Sequence, residues 1–203
     1  MSNENTHIEP QGTVGPRNSI APLPVDGPRI SNIVCGVNLN CMFDLQQIAL
    51  EGRNVVYQPK RFKAAIIRLR EPKATALIFE RGKMQVLGTK SESDAMLAAR
   101  KIARMVQKMG FNVRMTDFNI QNIVANADTR MVIRLEGLRV GHYHYTQYEP
   151  EIFPGLVYKM THPKVTILVF AKGKLVFLGA SKKEDIDEAL GKLYPVLVQY
   201  RRV

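Results

Sequence analysis

Pro72-Lys73-Ala74-Thr75-Ala76-Leu77-Ile78-Phe79-Glu80-Arg81-Gly82-Lys83-Met84-Gln85-Val86-Leu87-Gly88 returns as Pro163-Lys164-Val165-Thr166-Ile167-Leu168-Val169-Phe170-Ala171-Lys172-Gly173-Lys174-Leu175-Val176-Phe177-Leu178-Gly179. Nine of the seventeen positions are identical, too many for chance. In each copy two short apolar runs flank a turn, Glu80-Arg81-Gly82-Lys83 or Ala171-Lys172-Gly173-Lys174, with the glycine placed to supply a positive φ. Each copy therefore reads as a β-hairpin. Upstream, Ser31-Asn32-Ile33-Val34 recurs as Gln121-Asn122-Ile123-Val124, so the repeat extends over most of the chain with an offset of 90 to 91 residues. A period of that length is too long for a solenoid unit. Each copy is expected to be a small domain, and the two to form one pseudo-symmetric body.

Outward from the hairpins, each copy opens on a short apolar strand, near 31 to 38 and 121 to 127. A short helix follows, Asp44 to Leu50 in the first copy. Strands are expected at Asn54 to Tyr57, Phe62 to Leu69, Ala74 to Phe79 and Lys83 to Gly88, with counterparts in the second copy. A closing helix follows in each, opened by Ser91 with Asp94 and by Ser181 with Glu184. Ala95, Ala98, Ile102, Met105, Val106 and Met109 recur at helical spacing in the first, as do Ile186, Ala189, Leu190, Leu193 and Leu197 in the second. The order β-α-β4-α, given twice, makes an α+β protein with a continuous antiparallel sheet. The expected organisation is a flexible N-terminal tail at 1–30, a first repeat at 31–120 and a second at 121–203. The tail is set apart by five of the eleven prolines and by weak apolar periodicity.

The 203 residues include 29 Lys and Arg against 18 Asp and Glu, a formal net charge of +11. Residues 1–30 are net −1, the first repeat +8 and the second +4, so the excess belongs to the repeats and points to a polyanionic partner, nucleic acid ahead of membrane. A hydrophobic content of 45% excludes a wholly disordered chain. No apolar run approaches the roughly 18 residues of a membrane span, and Met-Ser-Asn-Glu-Asn lacks a secretory signature, so a soluble intracellular protein is expected. Cys35 and Cys41 give neither a disulfide framework nor a zinc set and read as small apolar residues.

The strands carry an anomaly. An antiparallel sheet covered on one side should alternate apolar and polar residues. Here Leu77 and Phe79 lie on one face and Ala76 and Ile78 on the other, and the second copy repeats this with Leu168 and Phe170 against Ile167 and Val169. Either helices cover both faces, or one face is an open apolar surface built to receive a partner.

Six stretches bear on that choice: Ser31-Asn32-Ile33-Val34, Tyr57-Gln58-Pro59-Lys60-Arg61-Phe62, Arg68-Leu69-Arg70-Glu71-Pro72-Lys73, Thr75-Ala76-Leu77-Ile78-Phe79, Leu97-Ala98-Ala99-Arg100-Lys101 and Tyr148-Glu149-Pro150-Glu151-Ile152-Phe153-Pro154-Gly155-Leu156. Together they closely resemble the core of the TATA-box-binding protein family, across both repeats from 31 to 203. The resemblance implies a saddle: a curved ten-stranded antiparallel sheet, helices on its convex face, and a concave face laid on the minor groove of promoter DNA. By the same resemblance, Phe62 with Phe79 and Phe153 with Phe170 are wedges between base steps. Asn32 and Asn122 donate to base acceptors near the pseudo-dyad, and Val34, Val124, Leu77, Leu168 and Val176 form an apolar bed. Arg61, Arg68, Lys83, Lys159 and Lys174 contact phosphates; Lys159 stands opposite Arg68 in the repeat, which keeps the charge without the guanidinium fork.

Three base-contact positions depart from the family pattern. Leu87 and Leu178 stand where the family usually has threonine, and Gln85 where it usually has valine. Weaker discrimination at the central base pairs is the expectation, and a related factor with altered or relaxed DNA preference is the alternative reading. The family also implies partners. Arg100, Lys101, Arg104 and Lys108 form a basic helix stripe toward regulators and associated factors. Glu149, Glu151 and Ile152 lie in a second stirrup toward general transcription factor IIB, and the first stirrup near Tyr57 to Arg61 lies toward factor IIA. A self-dimer without DNA, no membrane partner, and a nuclear location complete that set.

Other signals are weak. Gly82-Lys83 lacks the glycine-rich approach and following hydroxyl of a phosphate-binding loop. His142-Tyr143-His144 offers two ligands without an acidic or cysteine partner and reads as a solvated helix or loop, so no metal and no cofactor are expected. No nucleophile, base or paired-carboxylate arrangement rises above composition, and an enzyme is not expected. An accessory domain of a nucleic-acid enzyme would need an attached catalytic segment. A protein-only scaffold would bind DNA negligibly.

Overall fold

The computed structural model describes residues 26–202. The order is β1 (Asp26–Asn38), α1 (Leu45–Glu51), β2 (Val55–Gln58), β3 (Phe62–Leu69), β4 (Ala74–Phe79), β5 (Lys83–Thr89) and α2 (Glu92–Lys108), followed by β6 (Thr116–Asp128), α3 (Leu135–Gly141), β7 (Thr146–Gln147), β8 (Leu156–Met160), β9 (Val165–Val169), β10 (Lys174–Ala180) and α4 (Lys183–Gln199). The expected β-α-β4-α order holds in both repeats. The N-terminal boundary is earlier than composition suggested, because β1 begins at Asp26 and takes in the last residues of the segment set apart as a tail. The tail's first 25 residues lie outside the described ones. Likewise β6 begins at Thr116, so the division at 120/121 falls inside a strand.

All ten strands join one antiparallel sheet, ordered β2-β3-β4-β5-β1-β6-β10-β9-β8-β7. The long strands β1 and β6 pair at its centre, and their ladder shifts register four times. Such bulges increase local twist and bend the strands, which curves the sheet. Gly82 and Gly173 both adopt φ 85°, and their N–H groups close the two hairpins on Phe79 O at 3.0 Å and Phe170 O at 2.8 Å.

The double-sided hydrophobicity of the strands has one answer throughout. Ala74, Ala76 and Ile78 are buried while Thr75, Leu77 and Phe79 are half-buried; Val165, Ile167 and Val169 are buried while Thr166, Leu168 and Phe170 are half-buried. Cross-strand partners share a face, so Ala76 with Val86 and Ala125 with Phe177 continue the buried side from β4 through to β10. α2 and α4 cover that side. The inward face of α2 is mainly alanine, Ala95, Ala98, Ala99 and Ala103, joined by Ile102 and Val106. Burial of Ile102 alone contributes about 2 kcal/mol. Among the described residues no helix covers the other side, which is the open face.

The capping of the two long helices differs. Ser91 Oγ accepts from Asp94 N at 3.1 Å, as the sequence suggests. In α4 the N-cap is Lys182, without a side-chain cap, and the expectation for Ser181 with Glu184 is corrected. Gly88 corresponds to Gly179, so Lys182 occupies the place of Ser91, and Ser181 arrives one residue too early to cap. Cys35 is fully buried among apolar side chains, which pushes its thiol pKa up to about 11; Cys41 is only half-buried. Tyr143 and His144 are exposed in a turn, as expected, while His142 is half-buried. Its ring packs beside Tyr158 and Tyr200, and its Nδ1 lies 3.3 Å from Tyr158 Oη.

Candidate nucleic-acid interface

Registered neighbours across the first half of the open face run, from the centre outward, Asn122, Val34, Leu87, Thr75 and Arg68. The row starts with an amide, crosses two aliphatic residues and a hydroxyl, and ends on an exposed cation. With adjacent strands about 4.8 Å apart it spans about 19 Å. The second half repeats its outer end, with Leu178 opposite Thr166 and Thr166 opposite Lys159. Across the central pair, Asn32 faces Val124 while Asn122 faces Val34, a reciprocal arrangement about the pseudo-twofold.

The two asparagines are held alike. Asn32 Oδ1 accepts from Gly88 N at 2.7 Å, and Asn122 Oδ1 accepts from Gly179 N at 2.8 Å. Each side-chain oxygen is thus occupied by backbone, and neither Nδ2 has a partner among the described residues. This leaves two fixed donors, which suit acceptor-only surfaces such as the edges of A·T pairs in the minor groove.

At each end of the face stands a pair of phenylalanines. Phe62 and Phe79 meet edge-on at 6.3 Å between centroids and 65° between planes; Phe153 and Phe170 meet at 5.9 Å and 67°. The outer ring of each pair is unusually bare for phenylalanine, Phe62 at 42% and Phe153 at 38% exposure. Beneath them the floors differ. Ala64 lies opposite Phe79, whereas the second pair crowds Gly155, where a Cβ would stand 2.7 Å from Phe153 Cε1 and 3.1 Å from Phe170 Cε1.

Arg61, Arg68, Lys83, Lys159 and Lys174 are all exposed, and the ion pairs of the described residues, Lys183 with Asp187 and Lys192 with Glu188, involve none of them. Lys83 and Lys174 follow the hairpin glycines on the open-face side of β5 and β10. The structure thus brings together on one face every wedge, base-contact and phosphate residue expected from the sequence, apart from Arg61, which stands exposed in the turn before β3.

The partner residues lie elsewhere. Arg100, Arg104 and Lys108 are exposed on α2, with Arg104 Nη1 donating to Gln107 Oε1 at 3.3 Å. Lys101 has an internal role as well: its Nζ donates to Glu71 O at 2.8 Å, and Lys192 on α4 does the same to His162 O at 2.9 Å. Each lysine ties a long helix to the turn ahead of β4 or β9. In the second stirrup Ile152 is 80% exposed, and Glu149 O accepts from both Ile152 N and Phe153 N. Sequence reasoning missed Asn119 and Gln121 of β6, which reach over Gly36 of β1 on the open face. The only sequence signal was the change from Ser31 to Gln121 at matching places in the repeat.

The model of the family described as transcription factor TFIID, or TATA-binding protein, matches the chain twice, over residues 27–109 and 117–200. The chain belongs to the TATA-binding protein family. Among its relatives the TATA-box-binding protein of Schizosaccharomyces pombe is 55% identical over 175 residues, covering 86% of this chain and 76% of that one. The Saccharomyces cerevisiae TATA-box-binding protein is 52% identical over 176 residues, covering 87% and 73%. The structure of Methanococcus jannaschii TBP superposes with a TM-score of 0.76 at 35% identity, over 85% of this chain and 98% of that chain. The TATA-binding protein fold accounts for the open face: ten strands in one sheet, helices on a single side, and two family repeats.

Proposed function

We propose that this chain is a promoter-binding initiation factor: it lays its open face on the minor groove of TATA-like DNA, bends the duplex, and carries the transcription machinery on its outer surface. The observation that carries this is the paired, half-bare phenylalanines at both ends of a face whose middle is aliphatic residues with a few amides and hydroxyls. Apolar side chains driven between base steps unstack and kink DNA, and the bent groove then covers more protein surface. Aliphatic residues leave the guanine amine of a G·C pair unpaired, which selects A·T. Cations at the margins fix the duplex in register without reading it.

General transcription factor IIB is the fitting partner for the second stirrup, with its bare Ile152 just after Glu149 and Glu151. Factor IIA fits the first stirrup, and acidic regulators fit Arg100, Arg104 and Lys108. A second copy of the chain can occupy the open face in the absence of DNA. These roles belong to the nucleus, and the chemistry is binding, not catalysis.

Duplex bending and affinity on a TATA site and a scrambled site test the reading. The expected result is a preferred, sharply bent TATA complex whose log affinity falls with log salt at a slope of about −4.5, for five neutralised phosphates. A protein that neither prefers nor bends TATA DNA refutes it. Replacing Leu87 and Leu178 with threonine tests the central positions: sharper discrimination there is expected, and an unchanged site preference removes the role given to the two leucines.

A further inference from the structure

The two halves of the open face are built on the same register but not from the same chemistry. In the first half one row runs Asn119, Gly36, Gln85, Leu77 and Ile66; its counterpart in the second half runs Arg29, Asn126, Val176, Leu168 and Val157. Where the second half has the aliphatic Val176, the first has an amide. Gln121, whose counterpart is Ser31, reaches into the same place. A Cβ on residue 36 would run into its Nε2, and Asn119 Oδ1 lies 2.9 Å from that point. Gly36 therefore makes the room in which the amides gather. In the second half Asn126 fills that room with its own side chain.

Gln85 Nε2 donates to Gln121 Oε1 at 3.2 Å. That bond uses one N–H and one oxygen, so the pair keeps a free carbonyl oxygen and a free amine whichever way the two amides are turned. Neither has another partner among the described residues. A surface with both a donor and an acceptor suits the one base pair that shows both in the minor groove, G·C, whose guanine amine adds a donor to the usual acceptors. Of their counterparts in the second repeat, Ser31 donates its hydroxyl to Val124 O at 3.2 Å and Arg29 has no acceptor, so the second half holds the single amide of Asn126 where the first gathers three.

We infer that the amide cluster of Gln85, Gln121 and Asn119 makes the first repeat tolerant of a G·C pair in the minor groove, while the second repeat remains selective for A·T. This rests on the DNA-binding reading above and assigns a specificity to one half of that site.

Four duplexes read this out by equilibrium competition: an A·T-only element, the same element with one off-centre G·C pair, with two G·C pairs placed symmetrically about the centre, and with the single guanine replaced by inosine, which lacks the amine. The single G·C pair is expected to cost less than about 3-fold, since the first repeat can cover it. The second should cost about 10-fold more, within the range for an unpaired buried donor. In the double variant Gln85→Val, Gln121→Ser, which writes the second repeat's residues into the first, one G·C pair should already cost about 10-fold, and inosine should remove that cost. An unfolding midpoint unchanged from that of the unaltered protein establishes that the variant is folded, and its costs are read relative to its own affinity for the A·T-only element. Equal costs for the first and second G·C pairs in the unaltered protein overturn the inference, as does a variant that matches the unaltered protein on the singly substituted duplex. Indifference of the unaltered protein to A·T and G·C elements alike is a different failure, and it sinks the DNA-binding reading itself.

Discussion

The first repeat seats its wedge pair on Ala64 and the second on Gly155, and the rings stand 6.3 Å apart in one and 5.9 Å in the other. Sheet register, buried face and asparagine anchors are otherwise shared, so the fold dictates two equivalent stations and the side chains make them unequal. Pseudo-symmetry is thus a property of the backbone and core here. The open face departs from it at a few named positions, and those departures are where the two halves can be told apart experimentally.

The largest effect should come from the wedges. Phe62→Ala and Phe153→Ala are each expected to weaken binding by about 3 kcal/mol, as for aromatic hot spots, and to abolish the kink at one end only. Fluorescence energy transfer across the duplex reads the remaining bend; a full bend in either variant breaks the equivalence of the two stations. Next, Asn32→Ala and Asn122→Ala remove matched donors and leave Gly88 N or Gly179 N without its acceptor. Each should cost about 1.5 kcal/mol of binding, and the two nearly equally. Titration of both variants on one element checks that symmetry.

Helix capping should separate the repeats. Ser91→Ala is expected to destabilise the fold by about 1 kcal/mol, while Ser181→Ala should stay within about 0.5 kcal/mol of the parent, measured by denaturant unfolding. Equal losses would mean that Ser181 caps α4 after all. The smallest effect is expected from Gly155→Ala, which puts a methyl group against Phe153 and Phe170 at the repeat position that Ala64, opposite Phe79, holds in the first half. Displacing two flexible ring edges should cost about 0.5 kcal/mol of binding, confined to the second station, and a bend measurement at that end detects it.

Most of the architecture was legible because hairpins and helices announce themselves locally. Gly82 and Gly173 mark turns by the φ they must adopt, and apolar spacing marks α2 and α4. Boundaries were less legible. β1 begins within a proline-rich stretch because its pairing partner is β6, about ninety residues away, and no local pattern encodes that. Ser181 looks like a cap in isolation, yet the helix starts a residue later, where the end of β10 delivers the chain. Among site residues, the wedges and asparagines stood out through the repeat and the family resemblance. Asn119 and Gln121 did not, because their meaning depends on the empty space over Gly36 of a different strand.

By itself the sequence determined the duplicated β-α-β4-α order, the basic surplus of both repeats, and strands apolar on both sides. Only the tertiary structure decided which apolar side is core. Ile78 and Phe79 are neighbours of similar hydrophobicity, and nothing in their order says that the helices close over Ile78 and leave Phe79 to a partner. Hydrophobic burial is non-directional, so a strand apolar on both faces can be covered on either. The choice is made by where α2 and α4 return across the sheet, and that return creates the open face on which the proposed function depends.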